Sequence, residues 1–412
     1  MDRRPEVNTA QDKLLDLQRS LAHESKTADR LTVIFFILLI FALTVLMIVL
    51  PDREFSEQEN RYLQKQPEFT VKALIDGSYT GKVGDYFADQ FPLRDAFVAI
   101  KGVAEIAQGK RENNSVTLAS DGYIIKRGGY PDYETIDKNL SGIIAFADGA
   151  ERLGIPYIVA VAGRGEDVLR EKQPALYPRD IQDKAYRYLH ENLDSVANLK
   201  YLDLCAVFAA AEEETSEQLY YKTDHHWTSR GALMGANLIL KELGAETHDY
   251  SFYAPETASE AFYGTTWSSG GMKWVKPDKI EFFRFEGDEE FVTHIDDTGV
   301  EYKGFYDRSY LEKKDKYSSF IGGNNARVDI YKVDDSGVRI ERPKLVVLKD
   351  SFAHSAAPFL AQSYDLIYID LRYYKDSVFK LCREEGAAAV VVLINFDSLE
   401  SSSTFGLLKM GL

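Results

Sequence analysis

The longest apolar run in the sequence extends from Leu31 to Leu50, where Thr32 and Thr44 are the only polar side chains and no residue is charged. Twenty helical residues at about 1.5 Å each span roughly 30 Å, the thickness of a bilayer's hydrocarbon core. A cleaved signal peptide would be shorter, would lie nearer the start and would end in small residues. This run instead follows about thirty residues and ends at Pro51. The pattern therefore predicts a retained transmembrane anchor.

The direction of the anchor depends on the basic residues around it. Three lie close to each side, Arg19, Lys26 and Arg30 before the run and Arg53, Arg61 and Lys65 after it, so the flanking count is a tie. The tail adds Arg3, Arg4 and Lys13, which resist crossing, whereas large domains cross largely regardless of their charge. We therefore expect residues 1–30 to be a cytoplasmic tail and the main domain to lie on the extracytoplasmic side of a cell membrane.

From about Ser115 the pattern changes to helices alternating with short apolar strands. The predicted helices are Asn139–Leu153, Ile181–Ala197, one from about Phe352, and Val378–Glu385, and the predicted strands are Ile155–Val161, Lys200–Leu204, Lys344–Leu348, Leu366–Leu371 and Ala387–Ile394. Uninterrupted Val/Ile/Leu strands between helices indicate a mostly parallel sheet that is covered on both faces. The sequence therefore predicts an α/β domain over residues 115–412.

Two regions depart from this alternation. Residues 51–114 predict a mostly helical juxtamembrane segment that packs on the main domain. Residues from about 250 to 341 are rich in Gly, Tyr and Asp and show few helical periods. Long segments of this kind inside a compact domain are often functional excursions. We expect this one to be irregular or β-rich and to be carried on the same domain.

Charge and cysteine content exclude some classes of protein. The first thirty residues hold six basic and six acidic side chains, so the net charge of −16 belongs to the chain after the anchor. This argues against nucleic acid as a partner, because binding to a phosphate backbone requires a surplus of Lys and Arg. The only two cysteines, Cys205 and Cys382, exclude a disulfide scaffold.

One candidate site is the segment from Leu219 to Ala232, which contains Asp224-His225-His226-Trp227. Aromatic residues before Asp224 predict a strand, and Thr228 or Ser229 can cap the following helix. On a strand, Asp224 and His226 would project to one face and His225 to the other. A carboxylate beside an imidazole is the arrangement of a general base, because the carboxylate fixes the ring tautomer and stabilises the cation that forms.

A second candidate is Ser351, which lies where the predicted strand Lys344–Leu348 gives way to a helix. In α/β sheets, ligands bind beyond the carboxyl ends of the strands. A helix N-terminus there offers N–H groups to a developing oxyanion. Each candidate alone is weak, since serine is a common helix N-cap. Together they supply a nucleophile, a base and a carboxylate that orients the base.

Two alternatives stay open for these residues. Asp224, His225 and His226 could bind a metal, but zinc needs three or four ligands and adjacent strand histidines face opposite ways. We therefore expect no metal. His354 lies three residues after Ser351, about one helical turn away, and is a second candidate for the base.

The sequence resembles the DHHW family, named for the motif at Asp224–Trp227, and more distantly the SGNH-type domains of the alginate O-acetylation proteins. The matching segments are Glu59-Asn60-Arg61, Asp89 to Arg94, Asp224 to Trp227, Asp315-Lys316-Tyr317, Gly322-Gly323-Asn324, Lys349-Asp350-Ser351-Phe352 and Asp370-Leu371-Arg372-Tyr373. The resemblance implies an SGNH-like three-layer α/β/α sandwich with a mostly parallel sheet. Two departures from the SGNH pattern are Lys349 at the usual glycine position and the lack of a C-terminal Asp-x-x-His.

By this resemblance Ser351 would be the nucleophile, with His226 and Asp224 as its partners. The N–H near Phe352 and the side chain of Asn324 would form the oxyanion hole, although Asn324 could equally belong to a plain turn. Further candidates for contact with the substrate are His225, Trp227 and Arg372.

The function implied is that of a membrane-anchored O-acyl (acetyl) transferase or esterase acting on an exported cell-envelope polysaccharide. Such chemistry requires no cofactor, and a polytopic membrane acyltransferase would be the partner that supplies acetyl groups. The alternative is a non-catalytic carbohydrate-binding or scaffolding subunit of a polysaccharide assembly, in which the many Tyr and Phe residues would stack on sugars.

Overall fold

The computed structural model describes residues 6–56 and 61–412. These residues fall into two compact units, the first extending to residue 98 and the second from residue 99 to the end. Four residues named in the sequence analysis, Arg3, Arg4, Glu59 and Asn60, lie outside the described residues.

The first unit begins with a long helix, α1 (Glu6–Val49). Its stretch Lys26–Val49 has a mean hydropathy of 3.1, and it is the one helix in the described part of the chain that is long and apolar enough to cross a membrane. The predicted span thus lies within a longer helix. The remaining elements are β1 (Phe55–Ser56), which pairs antiparallel with β2 (Arg61–Tyr62), then α2 (Val71–Ile75), α3 (Ser78–Gln90) and α4 (Arg94–Ala107), which continues into the second unit.

The second unit holds the other thirteen described strands and nine α-helices. The strands are β3 (Glu112–Asn113), β4 (Val116–Leu118), β5 (Ile124–Lys126), β6 (Tyr157–Ala162), β7 (Lys200–Asp203), β8 (Ala254–Phe262), β9 (Asp278–Arg284), β10 (Phe291–Ile295), β11 (Val300–Lys303), β12 (Arg327–Lys332), β13 (Lys344–Lys349), β14 (Asp365–Ile369) and β15 (Ala387–Asn395). The helices are α5 (Tyr133–Leu153), α6 (Gly165–Val168), α7 (Asp180–Leu193), α8 (Leu204–Glu214), α9 (Ser229–Glu242), α10 (Thr265–Gly270), α11 (Ala357–Leu360), α12 (Val378–Glu385) and α13 (Asp397–Ser401).

Eight strands form the central sheet, in the order β11-β10-β12-β14-β13-β15-β6-β7. The four pairings from β14 to β7 are parallel, and the three from β11 to β14 are antiparallel. Every residue of β6 and β14 is buried, which requires cover on both faces of the sheet. The predicted α/β class with a mostly parallel sheet is confirmed, and the predicted positions of the parallel strands agree to within about two residues.

The helices that cover the sheet are amphipathic, and α5 shows why they form where they do. Asp132 caps its first turn by accepting from the N–H of Thr135, and Gly154 ends it with a φ of 67°. A left-handed residue of this kind is a common helix stop, and glycine adopts it without a side-chain clash. Between these ends, apolar residues three or four apart are buried, namely Ile136, Leu140, Ile143 and Ala147. This spacing turns one stripe of the helix toward the core.

Residues 250–341 form the antiparallel part of the fold. Strands β8 and β9 pair with each other, whereas β10, β11 and β12 extend the main sheet. Whether residues 51–114 pack on the main domain stays a prediction, as do the predicted domain boundaries.

The predicted strand before Asp224 is wrong. Only a single bridge joins Tyr220 to Trp227, and the residues between them form a loop. The carboxylate of Asp278 bends the backbone there, since it accepts from the N–H groups of Lys222 and Thr223 at 3.0 and 2.7 Å. The aromatic side chains of Tyr220 and Tyr221 are buried, but their backbone does not form a strand.

Candidate active site

Ser351 begins a short 3₁₀ helix, Ser351–Ala356, directly after the central parallel strand β13. Asp350 caps this helix, because its Oδ1 accepts from the N–H of Phe352 at 2.8 Å. Its Oδ2 accepts from the N–H of Asn395 at 2.7 Å and from the hydroxyl of Ser398 at 2.7 Å. The buried carboxylate thus ties the serine turn to the end of β15, which fixes the position of Ser351.

The turn that presents Ser351 does not require glycine at position 349. Lys349 stands where related sequences have glycine, but it belongs to β13 and is not among the residues with positive φ. An extended backbone accepts any side chain, so glycine has no conformational advantage at this position.

The loop closed by Tyr220 and Trp227 carries the acid and the imidazole. The Nδ1 of His226 lies 2.5 Å from Oδ2 of Asp224, and the same carboxylate oxygen accepts from the backbone N–H of His226 at 3.2 Å. The two residues therefore meet through a local turn, in which a carboxylate bonds to the backbone two residues on. The pairing predicted from strand geometry is present, but the strand is not its cause.

Ser351, His226 and Asp224 form one continuous chain of hydrogen bonds. The Nε2 of His226 lies 2.7 Å from Oγ of Ser351. Because Asp224 can only accept when ionised, Nδ1 of His226 carries the proton and Nε2 accepts from the serine hydroxyl. A neutral imidazole held this way can take the serine proton.

The electrostatics of the pair match this tautomer. Burial, together with the neighbouring His225, lowers the pKa of His226 to about 4, against the opposing effect of Asp224. Burial favours the neutral form of Asp224, but the charges of His225 and His226 outweigh it and hold the pKa of Asp224 well below its usual value. At neutral pH the carboxylate is ionised and the His226 imidazole is neutral, as a general base requires.

Two residues that sequence reasoning missed hold Asp224 from the other side. Its Oδ1 accepts from the N–H of Thr265 at 2.7 Å and from the hydroxyl of Thr265 at 3.0 Å. Gly264 packs against the same carboxylate so closely that a β-carbon there would lie 2.2 Å from Cβ of Asp224. A glycine is therefore required for close approach, and no spacing in the sequence indicates it.

Tyr317 is a third missed residue. Its ring stacks on His226 with centroids 3.8 Å apart and planes within 9° of parallel. Its hydroxyl donates to the carbonyl oxygen of Ser351 at 3.2 Å. Tyr317 therefore orients both the imidazole and the serine turn, and the only sequence signal was its place in Asp315-Lys316-Tyr317.

The site corrects the expected role of Trp227. Its side chain is fully buried, and its indole N–H lies 2.8 Å from the carbonyl oxygen of Phe352 and 3.0 Å from the hydroxyl of Ser355. It cannot contact a substrate in this arrangement. Its contacts instead link the loop that carries His226 to the helix that begins at Ser351.

The expected oxyanion hole also changes. The N–H of Phe352 already donates to Asp350, so it is not available to an oxyanion. The first N–H groups of a helix have no intrahelical acceptor, which leaves the N–H of Ser351 as the donor at this turn. Asn324 is exposed, and its side-chain oxygen accepts from Arg372 at 3.0 Å. Its amide nitrogen remains a candidate donor.

Arg372 belongs to a charged network behind the serine turn. Its guanidinium binds Asp370, which also lies 3.2 Å from Nζ of the buried Lys349. Lys349 in turn contacts Nε2 of His354 at 2.8 Å. Burial, and then the charge of Lys349, hold the pKa of His354 well below its usual value. His354 is thus engaged with Lys349, and the structure brings His226, not His354, to Ser351.

His225 lies at the edge of the site. Its Nδ1 is 2.6 Å from the hydroxyl of Thr265, and its side chain is 37% exposed. Although burial opposes protonation, the Asp224 carboxylate raises the pKa of His225. His225 also lines a cleft of about 380 Å³ beside the loop, so it stays a candidate for contact with a ligand.

Asp224, His225 and His226 place three ligand atoms within 4.8 Å of one another, which is close enough for a metal ion. Both ring nitrogens of His226 are, however, already hydrogen-bonded, to Asp224 and to Ser351. A metal would have to replace one of these bonds. The hydrogen-bonded chain engages Asp224 and His226, and Nδ1 of His225 lies within hydrogen-bond distance of Thr265.

Taken together, the fold and site define an α/β protein in which a serine at the end of a parallel strand is hydrogen-bonded to a His–Asp pair. Residues 178–370 match the family model described as DHHW protein. No curated protein sequence matches the chain.

Solved structures support the same fold. A DHHW family protein from Eubacterium siraeum is 20% identical with a TM-score of 0.55, and the match covers 72% of this chain and 95% of that one. Bacillus cereus PatB1, solved with a sulfonyl adduct, is 20% identical with a TM-score of 0.58, over 70% of this chain and 97% of that one. The O-acetyltransferase domain of Pseudomonas putida AlgJ matches less well, at 15% identity over 72% of this chain and 92% of that one, with a TM-score of 0.42.

Proposed function

We propose that this protein is a membrane-anchored, serine-dependent O-acyl transferase or esterase that acts on an exported cell-envelope polysaccharide. One observation carries the proposal, the continuous hydrogen-bond chain from Ser351 through His226 to Asp224. A nucleophile, a base and a carboxylate that orients the base are the parts that acyl transfer requires.

In the first half-reaction, Oγ of Ser351 attacks the carbonyl carbon of an acyl donor while its proton passes to Nε2 of His226. The N–H of Ser351 and the amide of Asn324 stabilise the oxyanion. The bond from the acyl carbon to the donor's leaving oxygen then breaks, and His226 returns the proton to that oxygen. An acyl-serine remains, with the acyl group bonded to Oγ.

In the second half-reaction, a sugar hydroxyl or a water attacks the acyl-serine. His226 takes the proton of the attacking group and gives it to Oγ as the ester bond to Ser351 breaks. A sugar hydroxyl yields an O-acylated glycan, and water yields the free acid. The fold relative PatB1 was solved with a sulfonyl adduct, so sulfonyl reagents are suitable probes for a nucleophile in this fold.

The apolar stretch of α1 supports the membrane part of the proposal. None of the most apolar window of this stretch is buried. A lipid environment would cover it. We place the N-terminus in the cytoplasm and residues 51–412 outside, where a polytopic membrane acyltransferase would supply the acyl group.

The test compares the full chain in detergent with its Ser351→Ala variant in hydrolysis of 4-nitrophenyl acetate. Loss of the nucleophile should lower kcat by at least about a thousandfold. Ser336→Ala, which alters a serine in an exposed turn, is the matched control and should keep the wild-type rate. Phenylmethylsulfonyl fluoride should also add one sulfonyl group to Ser351 by mass spectrometry. Equal rates for wild type and Ser351→Ala would refute the catalytic proposal and favour the non-catalytic carbohydrate-binding alternative.

A further inference from the structure

The cleft beside His225 is a cavity next to the triad, and of the three triad residues it is lined by Asp224. It runs between the segment after β5 and the segment that follows β15, and its volume of about 380 Å³ is that of a small-molecule site. One end reaches Asp224 and His225, so a ligand in it would lie against the loop that holds the base. Its other walls include Lys126, Arg127, Tyr130, Asp132, Arg164, Asp397 and Glu400.

The floor of the cleft is built from buried charged groups. Arg164 is only 6% exposed, and its Nη1 lies 3.1 Å from Oε1 of Glu400 and 3.5 Å from Asp397. The second oxygen of Glu400, Oε2, is buried and has no hydrogen-bond partner in the described part of the chain. A buried oxygen without a donor is costly. The Glu400 side chain as a whole is 18% exposed, so a ligand hydroxyl in the cleft would meet this residue at its exposed part.

Glu400 is also suited to an uncharged ligand. Burial raises its pKa to about 7, despite the opposing charge of Arg164. Near neutral pH its carboxyl group is therefore partly protonated. A carboxyl in this state can accept from one sugar hydroxyl and donate to another.

The rim of the cleft offers an aromatic surface. Tyr130 is 85% exposed and follows Gly128 and Gly129. A β-carbon at Gly128 would lie 2.1 Å from Oε1 of Glu166, so the glycine lets this rim approach the charged floor. An exposed aromatic ring beside hydroxyl-binding groups is the arrangement that holds a sugar, because the π face attracts the weakly positive C–H groups of the ring.

The charges of the cleft discriminate against acidic sugars. Three basic side chains line it, Lys126, Arg127 and Arg164, and two of them pair with acids outside the lining: Arg127 with Glu112 at 3.3 Å and Arg164 with Asp167 at 2.9 Å. Four acidic residues face the same space, namely Asp132, Asp224, Asp397 and Glu400. A polymer with one carboxylate per residue would bring further negative charge into this acidic surrounding, and like charges disfavour binding.

We propose that this cleft binds an uncharged, hydroxyl-rich sugar residue of the glycan and excludes polyuronates. The sugar stacks on Tyr130, and one of its hydroxyl groups donates a hydrogen bond to Glu400. Its role as the acceptor of the acyl group rests on the function proposed above, whereas its binding does not. A protein that resembles alginate O-acetylation proteins would then act on a neutral polymer.

The experiment measures binding by titration calorimetry on the full chain in detergent, in the Ser351→Ala background so that no turnover occurs. The probes are neutral tetramers of glucose, mannose and N-acetylglucosamine, and tetragalacturonate as the acidic probe of equal length. We expect at least one neutral tetramer to bind at least tenfold more tightly than tetragalacturonate. Tyr130→Ala and Glu400→Ala should each weaken it at least fivefold, whereas Tyr62→Ala, which removes an exposed tyrosine outside the cleft, should not change it.

Tighter binding of tetragalacturonate, no binding of any neutral tetramer, or unchanged binding by Tyr130→Ala would each overturn the proposal. The two proposals fail separately. If a tetramer binds in a manner that depends on Tyr130 but the wild type does not hydrolyse the ester, the binding site stands and the catalytic proposal fails. If the wild type hydrolyses the ester but no tetramer binds, the catalytic proposal stands and the binding site fails.

Discussion

The pKa of His226 makes the pH dependence of the reaction a quantitative test. Burial and the adjacent His225 lower this pKa to about 4, whereas an ordinary histidine titrates near 6.5. The base must be neutral to accept the serine proton. At pH 5 about 90% of the His226 imidazole would be neutral with a pKa of about 4, but only about 3% with an ordinary pKa. The acid limb of kcat/KM should therefore have its midpoint near pH 4.

His225→Asn is the perturbation that tests the cause. The imidazole of His225 lies beside that of His226, with ring centroids 3.8 Å apart. Removing it removes a positive charge that opposes protonation of His226, so the acid limb should move to higher pH. Burial of His226 is unchanged by this substitution, so the limb should stay below the ordinary histidine value.

The assay follows 4-nitrophenol release at its isosbestic wavelength between pH 3.5 and 8, at constant ionic strength. Circular dichroism at each pH provides the control for unfolding. The titration of His226 itself also changes the stability of the fold. Because the folded pKa of His226 is below the unfolded one, the unfolded chain binds more protons between about pH 4 and 6.5, so this group lowers stability as the pH falls through that window. An acid limb near 6.5 in folded wild type, or no shift in His225→Asn, would refute the reasoning.

Three further predictions concern residues that position the site. Gly264→Ala places a methyl group 2.2 Å from Cβ of Asp224 and should displace its carboxylate. We expect kcat to fall by about a hundredfold, while the content of secondary structure stays unchanged. Asp278→Ala removes a buried carboxylate that accepts four hydrogen bonds from the loop before Asp224, and urea denaturation should show a loss of about 2–4 kcal/mol, since the donors are left unpaired. Lys349→Met breaks its buried ion pair with Asp370 but leaves Arg372 paired with that carboxylate, so the free energy of unfolding should fall by about 1.5–3 kcal/mol.

Each of these has a matched control. Gly84→Ala adds a methyl group where no atom lies within 4 Å and should keep full activity. Asp335→Ala and Lys380→Met alter exposed charges and should change stability by less than about 0.5 kcal/mol. Equal effects in a variant and its control would contradict the role given to that residue.

The elements of this fold could largely be predicted because their signals are local. The run of apolar residues from Leu345 to Leu348 forms a buried strand, and a flanking Asp and Gly set the ends of α5. The place of Ser351 also follows, since the residue after a parallel strand lies at the sheet edge where ligands bind. The antiparallel part of the sheet could not be predicted in detail, because residues 250–341 are rich in Gly, Tyr and Asp and lack the uninterrupted Val/Ile/Leu runs of the parallel strands.

The sequence by itself determined an apolar helix near the N-terminus, an α/β domain after it, and the candidate residues Ser351, Asp224 and His226. Only the tertiary structure decided that His226 faces the serine across 125 residues of sequence, and that the N–H of Phe352 is already taken. The physical reason is that loop side chains are oriented by contacts between distant segments, such as Thr265 on Asp224. Sequence periodicity specifies which residues are buried, but it does not specify which residues they contact.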